Sequence, residues 1–162
     1  MLKTILQDHL WFMNIALEQA ELAYKASEVP IGAVLVSSTG EVLSKKFNTK
    51  ETLFNPAGHA EILCMEGAGK EIKNWRLSDC TLYVTLEPCP MCLSAMVQSR
   101  IKLCVFGAYD SKGGALSLGY HMHKDKRLNH QFSVLGGIKH FECSKLLSQF
   151  FKERRGNYIP KN

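Results

Sequence analysis

Apolar residues follow helical spacing near the N-terminus and then fall into short runs. The three- and four-residue spacing between Leu10 and Tyr24 predicts an amphipathic helix. Pro30 ends that helix, because proline disfavours the helical conformation of the residue before it. Residues 31–36 form a short apolar run, and residues 41–46 form a second one beyond a polar turn. Such paired runs predict two adjacent strands.

The rest of the chain alternates helical patterns with buried strands. A helix is predicted to begin near His59 and to stop at the two glycines of residues 67–69, and Pro88 introduces another that runs to about Arg100. Residues 108–131 show no clear period, which is typical of a long functional loop. The remaining predicted elements are strands at residues 81–85, 102–107 and 132–136 and a helix at residues 141–155. This alternation predicts an α/β layered domain.

Length and composition predict one folded unit. The chain has 162 residues, of which 46% are hydrophobic, and no shift in composition divides it. We therefore expect a single domain over residues 1–162 with a substantial core. Asn14 and Glu18 interrupt the first apolar stretch, so no secretory signal peptide is expected. No run of about 18 apolar residues predicts a membrane span, and these observations favour a cytoplasmic protein.

The formal net charge of +5 is unevenly distributed. Basic residues concentrate in the last third of the chain, where they are Lys112, Lys124, Lys126, Arg127, Lys139, Lys145, Lys152, Arg154, Arg155 and Lys161. A basic surface of this kind binds polyanions such as nucleic acid. The alternative is a solvated surface that only maintains solubility. Charge alone leaves both interpretations open.

One histidine, two cysteines and a glutamate have the spacing of a catalytic zinc site. His59 and Glu61 stand two residues apart, and a later P-C-P-M-C segment supplies Cys89 and Cys92. Catalytic zinc sites use three protein ligands and keep the fourth position open. Cysteines three residues apart share a helix face, so both sulfurs can reach one ion. The combined pattern H-x-E…P-C-x-x-C is typical of hydrolytic zinc deaminases. We therefore expect one Zn²⁺ per subunit, held by His59, Cys89 and Cys92.

The reaction expected of such a site is the hydrolytic removal of an amino group from a ring. Zinc lowers the pKa of bound water from about 15.7 to about 7, which generates hydroxide near neutral pH. The hydroxide adds to the amino-bearing carbon of a purine or pyrimidine. The ring nitrogen has to be protonated before ammonia leaves, so the reaction needs a proton shuttle. Glu61 stands beside a ligand without being one, and we assign it that role.

Other interpretations of the same residues remain open. A lone C-x-x-C also occurs in redox pairs and in structural zinc sites, although a redox pair does not explain the histidine and glutamate upstream. A structural site needs a fourth ligand, for which the candidates are His121, His123, His130 and His140. Glu87 is interpreted as an acid that orients the site and not as a second base. The other cysteines are expected to be buried core thiols, and they are Cys64, Cys80, Cys104 and Cys143.

Over residues 12–155 the chain resembles the bacterial tRNA-specific adenosine deaminases. The matching segments are residues 28–34, 59–62, 82–92, 99–101, 106–108, 110–114, 128–130, 142–143 and 150–151. The zinc motif is shared with cytidine and guanine deaminases, whereas the Asn129-His130 pair and the basic tail around Phe150 and Phe151 favour the tRNA enzymes. The resemblance implies a three-layer α/β/α fold of the cytidine-deaminase type, with a central mixed sheet of about five strands. It also implies a homodimer that converts the wobble adenosine of a tRNA anticodon, in an arginine tRNA, to inosine.

The resemblance also implies a set of contacts with the tRNA anticodon stem-loop. Val29 matches a wall of the pocket, Asn48 a contact with the base edge, and Ala60 a backbone group beside that contact. The residues that match contacts with the anticodon loop are Asp110, Asn129, Phe151, Arg154 and Arg155. Tyr109 stands where a basic residue is common in the family, and residues 115–127 match its pattern poorly.

Each of these assignments has an alternative. Asn48 is of a residue type that often caps turns through its own backbone. Phe150 and Phe151 both fit the core stripe of an amphipathic helix, so at least one of them is expected to be structural. A deaminase of a free base or nucleoside, such as guanine or cytosine, shares every zinc residue. A non-catalytic RNA-binding module is a further alternative, against which the intact Glu61 argues.

Overall fold

The computed structural model describes residues 2–156, with side chains described from residue 6 onward. The helices are α1 (Leu2–Lys25), α2 (Ala60–Ile72), α3 (Pro90–Ser99), α4 (His140–Gly156) and a short 3₁₀ helix, Met122–Lys124. The strands are β1 (Gly32–Val36), β2 (Val42–Phe47), β3 (Thr81–Leu86), β4 (Leu103–Ala108) and β5 (Ser133–Gly136). Lys161, one of the basic residues noted above, lies outside the described residues.

The five strands form one mixed sheet in the order β2-β1-β3-β4-β5. Strand β1 pairs antiparallel with β2 and β3, whereas β3, β4 and β5 are mutually parallel. The register aligns Leu82 with Cys104 and Cys104 with Val134. Because β3 and β4 are parallel, their C-terminal ends meet at one edge of the sheet, and the chain leaves that edge at Glu87 and Tyr109.

Helices cover both faces of the sheet, as the alternation of side chains along the strands requires. On one face, Leu82 and Phe106 pack against α2 and α3 through residues such as Leu93. On the other face, Tyr83 packs against α1 through residues such as Met13, and α4 contributes to the same cluster. The predicted three-layer α/β/α fold with a five-stranded mixed sheet is confirmed. Among the described helices, none is long and apolar enough to cross a membrane.

The predicted end of α2 at its glycines is wrong. The helix continues through Gly67 and Gly69 and ends at Ile72, and the next residue, Lys73, adopts a left-handed conformation with φ 53°. Gly67 lies against β2, where an added Cβ would stand 2.5 Å from the Ser44 Oγ. The glycine therefore allows the helix to approach the sheet closely, which is a packing requirement and not a stop signal.

Candidate active site

The three predicted metal ligands come from the starts of two neighbouring helices. His59 is the residue before α2, and Cys89 is the residue before α3. Cys89 stands immediately before the first helical position of α3, which is taken by Pro90 as proline favours. Cys92 lies within the first turn of α3 and is fully buried. The N-terminal ends of α2 and α3 thus meet at the ligand set.

The ligand atoms are placed at the spacing that zinc requires. The Nδ1 of His59 lies 3.6 Å from the Sγ of Cys89 and 3.5 Å from the Sγ of Cys92. A tetrahedral ion with Zn–S bonds of about 2.3 Å and a Zn–N bond of about 2.05 Å separates nitrogen from sulfur by roughly 3.6 Å. All three atoms lie within 4.8 Å of one another. The soft donor set and its geometry therefore fit one zinc ion.

No fourth side chain joins this ligand set within the described part of the chain. In particular, the His130 Nε2 lies 2.7 Å from the backbone oxygen of Ile101, and His123 is buried beside Phe132. A three-ligand set leaves one tetrahedral position open, as catalytic zinc sites do. The arrangement thus disfavours a closed structural site that draws on the later histidines.

Hydrogen bonds within the ligand set distribute its protons unequally. The interaction with Cys92, followed by that with His59, lowers the pKa of Cys89 to about 4, although burial opposes this. Conversely, the interaction with Cys89 and burial raise the pKa of Cys92. The two thiols therefore share a proton, and zinc uptake has to displace it.

Glu61 is buried in the first turn of α2 and lies outside the ligand set. Burial raises the pKa of its carboxyl, because a low-dielectric environment disfavours the charged form. A carboxyl that binds its proton more tightly than usual can both accept and return a proton near neutral pH. The position of Glu61 thus suits it to proton transfer beside the metal ligands.

A second buried carboxylate, Glu28, was missed by the sequence analysis. It accepts a hydrogen bond of 3.1 Å from the Nδ2 of Asn48 and one of 2.6 Å from the backbone N–H of Thr52. Burial acts to raise the pKa of Glu28, but hydrogen bonds from Thr52 and Glu51, together with the charge of Arg154, outweigh it and leave the pKa lowered. An ionised carboxylate only accepts hydrogen bonds, so it fixes which end of the Asn48 amide faces it. The sequence offered one signal for this buried carboxylate, namely that Glu28 is a charged residue shortly before the apolar run of β1.

Glu87 acts as the anchor of the loop that follows β4. Its carboxylate accepts hydrogen bonds from the backbone N–H groups of Asp110 (3.0 Å) and Ser117 (2.7 Å) and from the Ser117 hydroxyl (2.6 Å). At Gly114 an added Cβ would stand 2.5 Å from the Glu87 Oε1, so only glycine fits there. These contacts support the interpretation of Glu87 as a structural acid. They fix the backbone of the first part of the loop that follows β4, where the sequence shows no helical or strand periodicity.

Four of the predicted substrate contacts line one open cleft of about 690 Å³. The cleft lies between the C-terminal ends of β3 and β4 and one side of α4 from Ser144 to Arg155. Its lining includes Val29, Tyr109, Asp110, Lys112, Phe151 and Arg155. Phe151 is 44% exposed there, whereas Phe150 is buried at 4%. As expected, one phenylalanine of the pair is structural. The chain runs from Leu86 in this cleft directly to Cys89, so the cleft adjoins the metal ligands.

Two predicted contacts lie elsewhere. Arg154 donates to the backbone oxygen of Ser27 and packs over the Phe150 ring at 4.7 Å, which ties α4 to the end of α1. Asn129 accepts a hydrogen bond of 2.7 Å from Arg100, at the C-terminal end of α3. The metal ligands are at the other end of this ten-residue helix, about 15 Å away. Within one chain, Asn129 is therefore not brought to the cleft.

The remaining predicted contacts, Asn48 and Ala60, lie near the two ends of the loop between β2 and α2. Asn48 is buried and follows directly on β2, and the backbone of Ala60 opens α2 beside His59. The structure thus brings Asn48, Ala60 and Glu61 to the ends of the loop that carries His59.

Comparison with known proteins agrees with this geometry. The sequence profile of the cytidine and deoxycytidylate deaminase zinc-binding region matches residues 6–108. A tRNA-specific adenosine deaminase of Bacillus subtilis is 46% identical over 149 residues, which cover 92% of this chain and 91% of that protein. A tRNA-specific adenosine deaminase of Haemophilus influenzae is 44% identical over 143 residues, which cover 88% of this chain and 83% of that protein. The chain belongs to this deaminase family.

Solved structures of the family extend the agreement to the fold. A deaminase described in work on A-to-I editing at the wobble position of transfer RNA superposes with a TM-score of 0.80 at 38% identity, covering 84% of this chain and 98% of the other. A guanine deaminase from Bacillus subtilis superposes with a TM-score of 0.59 at 28% identity, covering 93% and 95%. Of these two, the editing deaminase is the more similar in both sequence and structure.

Proposed function

We propose that this protein deaminates adenosine to inosine at the wobble position of a tRNA anticodon, with one zinc ion per subunit. The carrying observation is the open three-ligand set, whose nitrogen–sulfur distances of 3.5 and 3.6 Å match tetrahedral zinc and stand beside the buried Glu61. The similarity to tRNA-specific adenosine deaminases over about nine-tenths of the chain supports the choice of substrate. Residues 1–162 are proposed to form one such domain.

Glu61 performs the proton transfers of the proposed reaction. His59, Cys89 and Cys92 would hold the zinc ion, which when bound would lower the pKa of a water molecule and so supply the nucleophile. Glu61 accepts a proton as the water oxygen bonds to C6 of the adenine. It passes this proton to the ring nitrogen and then carries the remaining water proton from the oxygen on C6 to the leaving amino group. The C6–N6 bond breaks, and ammonia and inosine result. The raised pKa of Glu61 suits both the acceptance and the return of the proton.

An anticodon loop presents the adenosine already unpaired, so the enzyme avoids the few kcal/mol needed to extrude a base from a duplex. The cleft beside the metal site offers Lys112 and Arg155 for phosphates and Phe151 for a base. An arginine tRNA is the proposed substrate. Because tRNA is a cytoplasmic polymer, the cytoplasm is the proposed location.

A homodimer is proposed to form through the outer face of α2 and α3. A cavity of about 570 Å³ on that face is lined by apolar side chains that include Ile62, Met65, Trp75 and Ala95. Trp75 is exposed in the single chain, and aromatic residues are enriched in protein interfaces. Trp75→Glu is expected to shift the protein from dimer to monomer in sedimentation. An unchanged dimer would contradict this interface.

The alternative substrate is a free base, since a guanine deaminase shares this fold and 28% of its residues. The zinc-loaded protein should be offered a short arginine-tRNA anticodon hairpin, free guanine and free cytidine in parallel. Inosine is expected in the hairpin, with little ammonia from the free compounds. If ammonia is released from free guanine or cytidine and no inosine forms in the hairpin, the proposed function is wrong and the protein is a deaminase of free bases or nucleosides.

A further inference from the structure

The loop between β2 and α2 connects two parts of the proposed site, because it begins at Asn48 and ends at His59. Backbone hydrogen bonds close it at two levels, from Thr49 N–H to the Gly58 oxygen (2.9 Å) and from Asn55 N–H to the Lys50 oxygen (3.0 Å). Glu28 holds it from below through the Thr52 N–H at 2.6 Å. The tip of the loop is therefore fixed relative to the metal ligands.

Phe54 stands at this fixed tip with its ring in solvent. It is 92% exposed, which makes it the most exposed large apolar side chain in the described part of the chain. Its backbone is left-handed, with φ 50°, a conformation that is a clear outlier for a bulky residue. Leu53 differs, since its side chain lines a cleft against β2 and α2. Folding the domain does not require a phenylalanine in this position.

A cation accompanies the ring. Lys50 is exposed on the same loop, and its backbone oxygen accepts the 3.0 Å hydrogen bond from Asn55, the residue after Phe54. An aromatic face combined with a nearby ammonium group is the pair that binds unpaired nucleotides, because the ring stacks on a base while the cation meets a phosphate.

We propose that Phe54 and Lys50 form a binding site for the unpaired nucleotide next to the adenosine that is deaminated. Phe54 stacks on the base of that nucleotide, and Lys50 contacts its phosphate. The site is separate from the cleft at Phe151, which lies beyond the ends of β3 and β4. This inference rests on the proposed function, because it takes an anticodon loop as the substrate.

The composition of the loop tip favours a nucleotide over a second copy of the chain. Protein interfaces bury large areas whose centre is poor in lysine, whereas this tip offers one isolated ring with a lysine nearby. The apolar face proposed for the dimer uses other residues, among them Trp75. A single ring on a hydrogen-bonded loop that ends at His59 is sufficient for stacking on one base.

The test compares variants at neighbouring positions on the loop. Phe54→Ala is expected to raise the KM for the anticodon hairpin by about 5- to 150-fold, the range that one lost base stack gives, with kcat unchanged because the stack is present before and during reaction. Phe54→Trp should retain the wild-type KM. Leu53→Ala removes an exposed apolar side chain of similar size that cannot stack, and it should have no effect.

A fourth variant separates binding from stability. Phe54→Asn suits the left-handed backbone better than phenylalanine does, so its melting temperature should equal or exceed that of the wild type while its KM rises as in Phe54→Ala. A purely structural role would instead lower the melting temperature. Equal KM values for Phe54→Ala and the wild type, or equal effects of Phe54→Ala and Leu53→Ala, would overturn the proposal.

Binding without turnover distinguishes this proposal from the proposed function. A fluorescent hairpin that already carries inosine should bind the Phe54→Ala protein more weakly than the wild type by the same factor as the rise in KM. A wild-type protein that binds the hairpin yet makes no inosine contradicts the proposed function. A wild-type protein that makes inosine, with the same hairpin affinity as Phe54→Ala, contradicts only the stacking site.

Discussion

The metal site takes its ligands from the starts of two helices that are 30 residues apart in sequence, whereas the cleft beside it is lined by segments from Val29 to Arg155. Zinc chemistry restricts the first region to a few residue types at fixed spacing. The second region needs only exposed basic and aromatic groups at a suitable distance, and many sequences provide those. The comparison indicates that the reaction type is encoded locally, while the choice of substrate is encoded in the tertiary structure.

Loss of a metal ligand should reduce activity more than any other change, because the metal site depends on each of its three ligands. Cys92→Ser is expected to reduce zinc from about one ion per subunit to near zero, and deamination by on the order of 10³-fold or more, because two ligands do not hold the open tetrahedral site. Metal analysis of the purified protein measures the first effect. Cys80→Ala changes a buried cysteine outside the ligand set and should retain zinc.

Removal of the proton carrier should leave the metal in place. Glu61→Gln keeps the size of the side chain but cannot accept the proton of water, so kcat should fall by about 10²- to 10⁴-fold with an unchanged zinc content. Metal analysis and single-turnover assays on the same sample measure both quantities. A variant that retains its activity would refute the assigned role of Glu61.

The Glu28–Asn48 pair lies between the two regions and tests how the base is oriented. In Glu28→Gln, the new amide can still accept from Thr52 through its oxygen while its N–H₂ group turns Asn48 around. The variant should therefore fold with a similar melting temperature but lose about 5- to 150-fold in kcat/KM, the equivalent of 1–3 kcal/mol for a mismatched polar group. A large fall in melting temperature instead would show that Glu28 serves only to hold the fold.

Single charges in the cleft should have the smallest effect. Lys112→Ala is expected to reduce the slope of log Kd against log salt by about 0.7, the contribution of one phosphate contact on a single strand. Lys145→Ala is the matched control, since Lys145 lines a cleft between α1 and α4 on another side of the last helix. Equal slopes for the two variants would place the RNA outside the cleft at Phe151.

The fold and the metal site were predicted from the sequence because each depends on periodic or closely spaced residues. The end of α2 was not predicted correctly. Gly67 is required because its helix packs closely against Ser44 of β2, which the local sequence does not reveal. Glu28 was missed for a similar reason. Its partners Asn48 and Thr52 become neighbours only in the folded chain. The position of Asn129, which local sequence matches to an RNA contact, was also not predictable, because only the fold places it beside Arg100 at the end of α3.

The most direct test of the central claim is the reaction of the zinc-loaded protein with an arginine-tRNA anticodon hairpin in water enriched in oxygen-18. The account predicts inosine at the wobble position, with the heavy oxygen on C6, in the zinc-loaded wild type and not in Glu61→Gln. Unlabelled inosine would contradict hydrolysis. The absence of inosine, together with ammonia released from free guanine or cytidine, would contradict the assignment of the substrate.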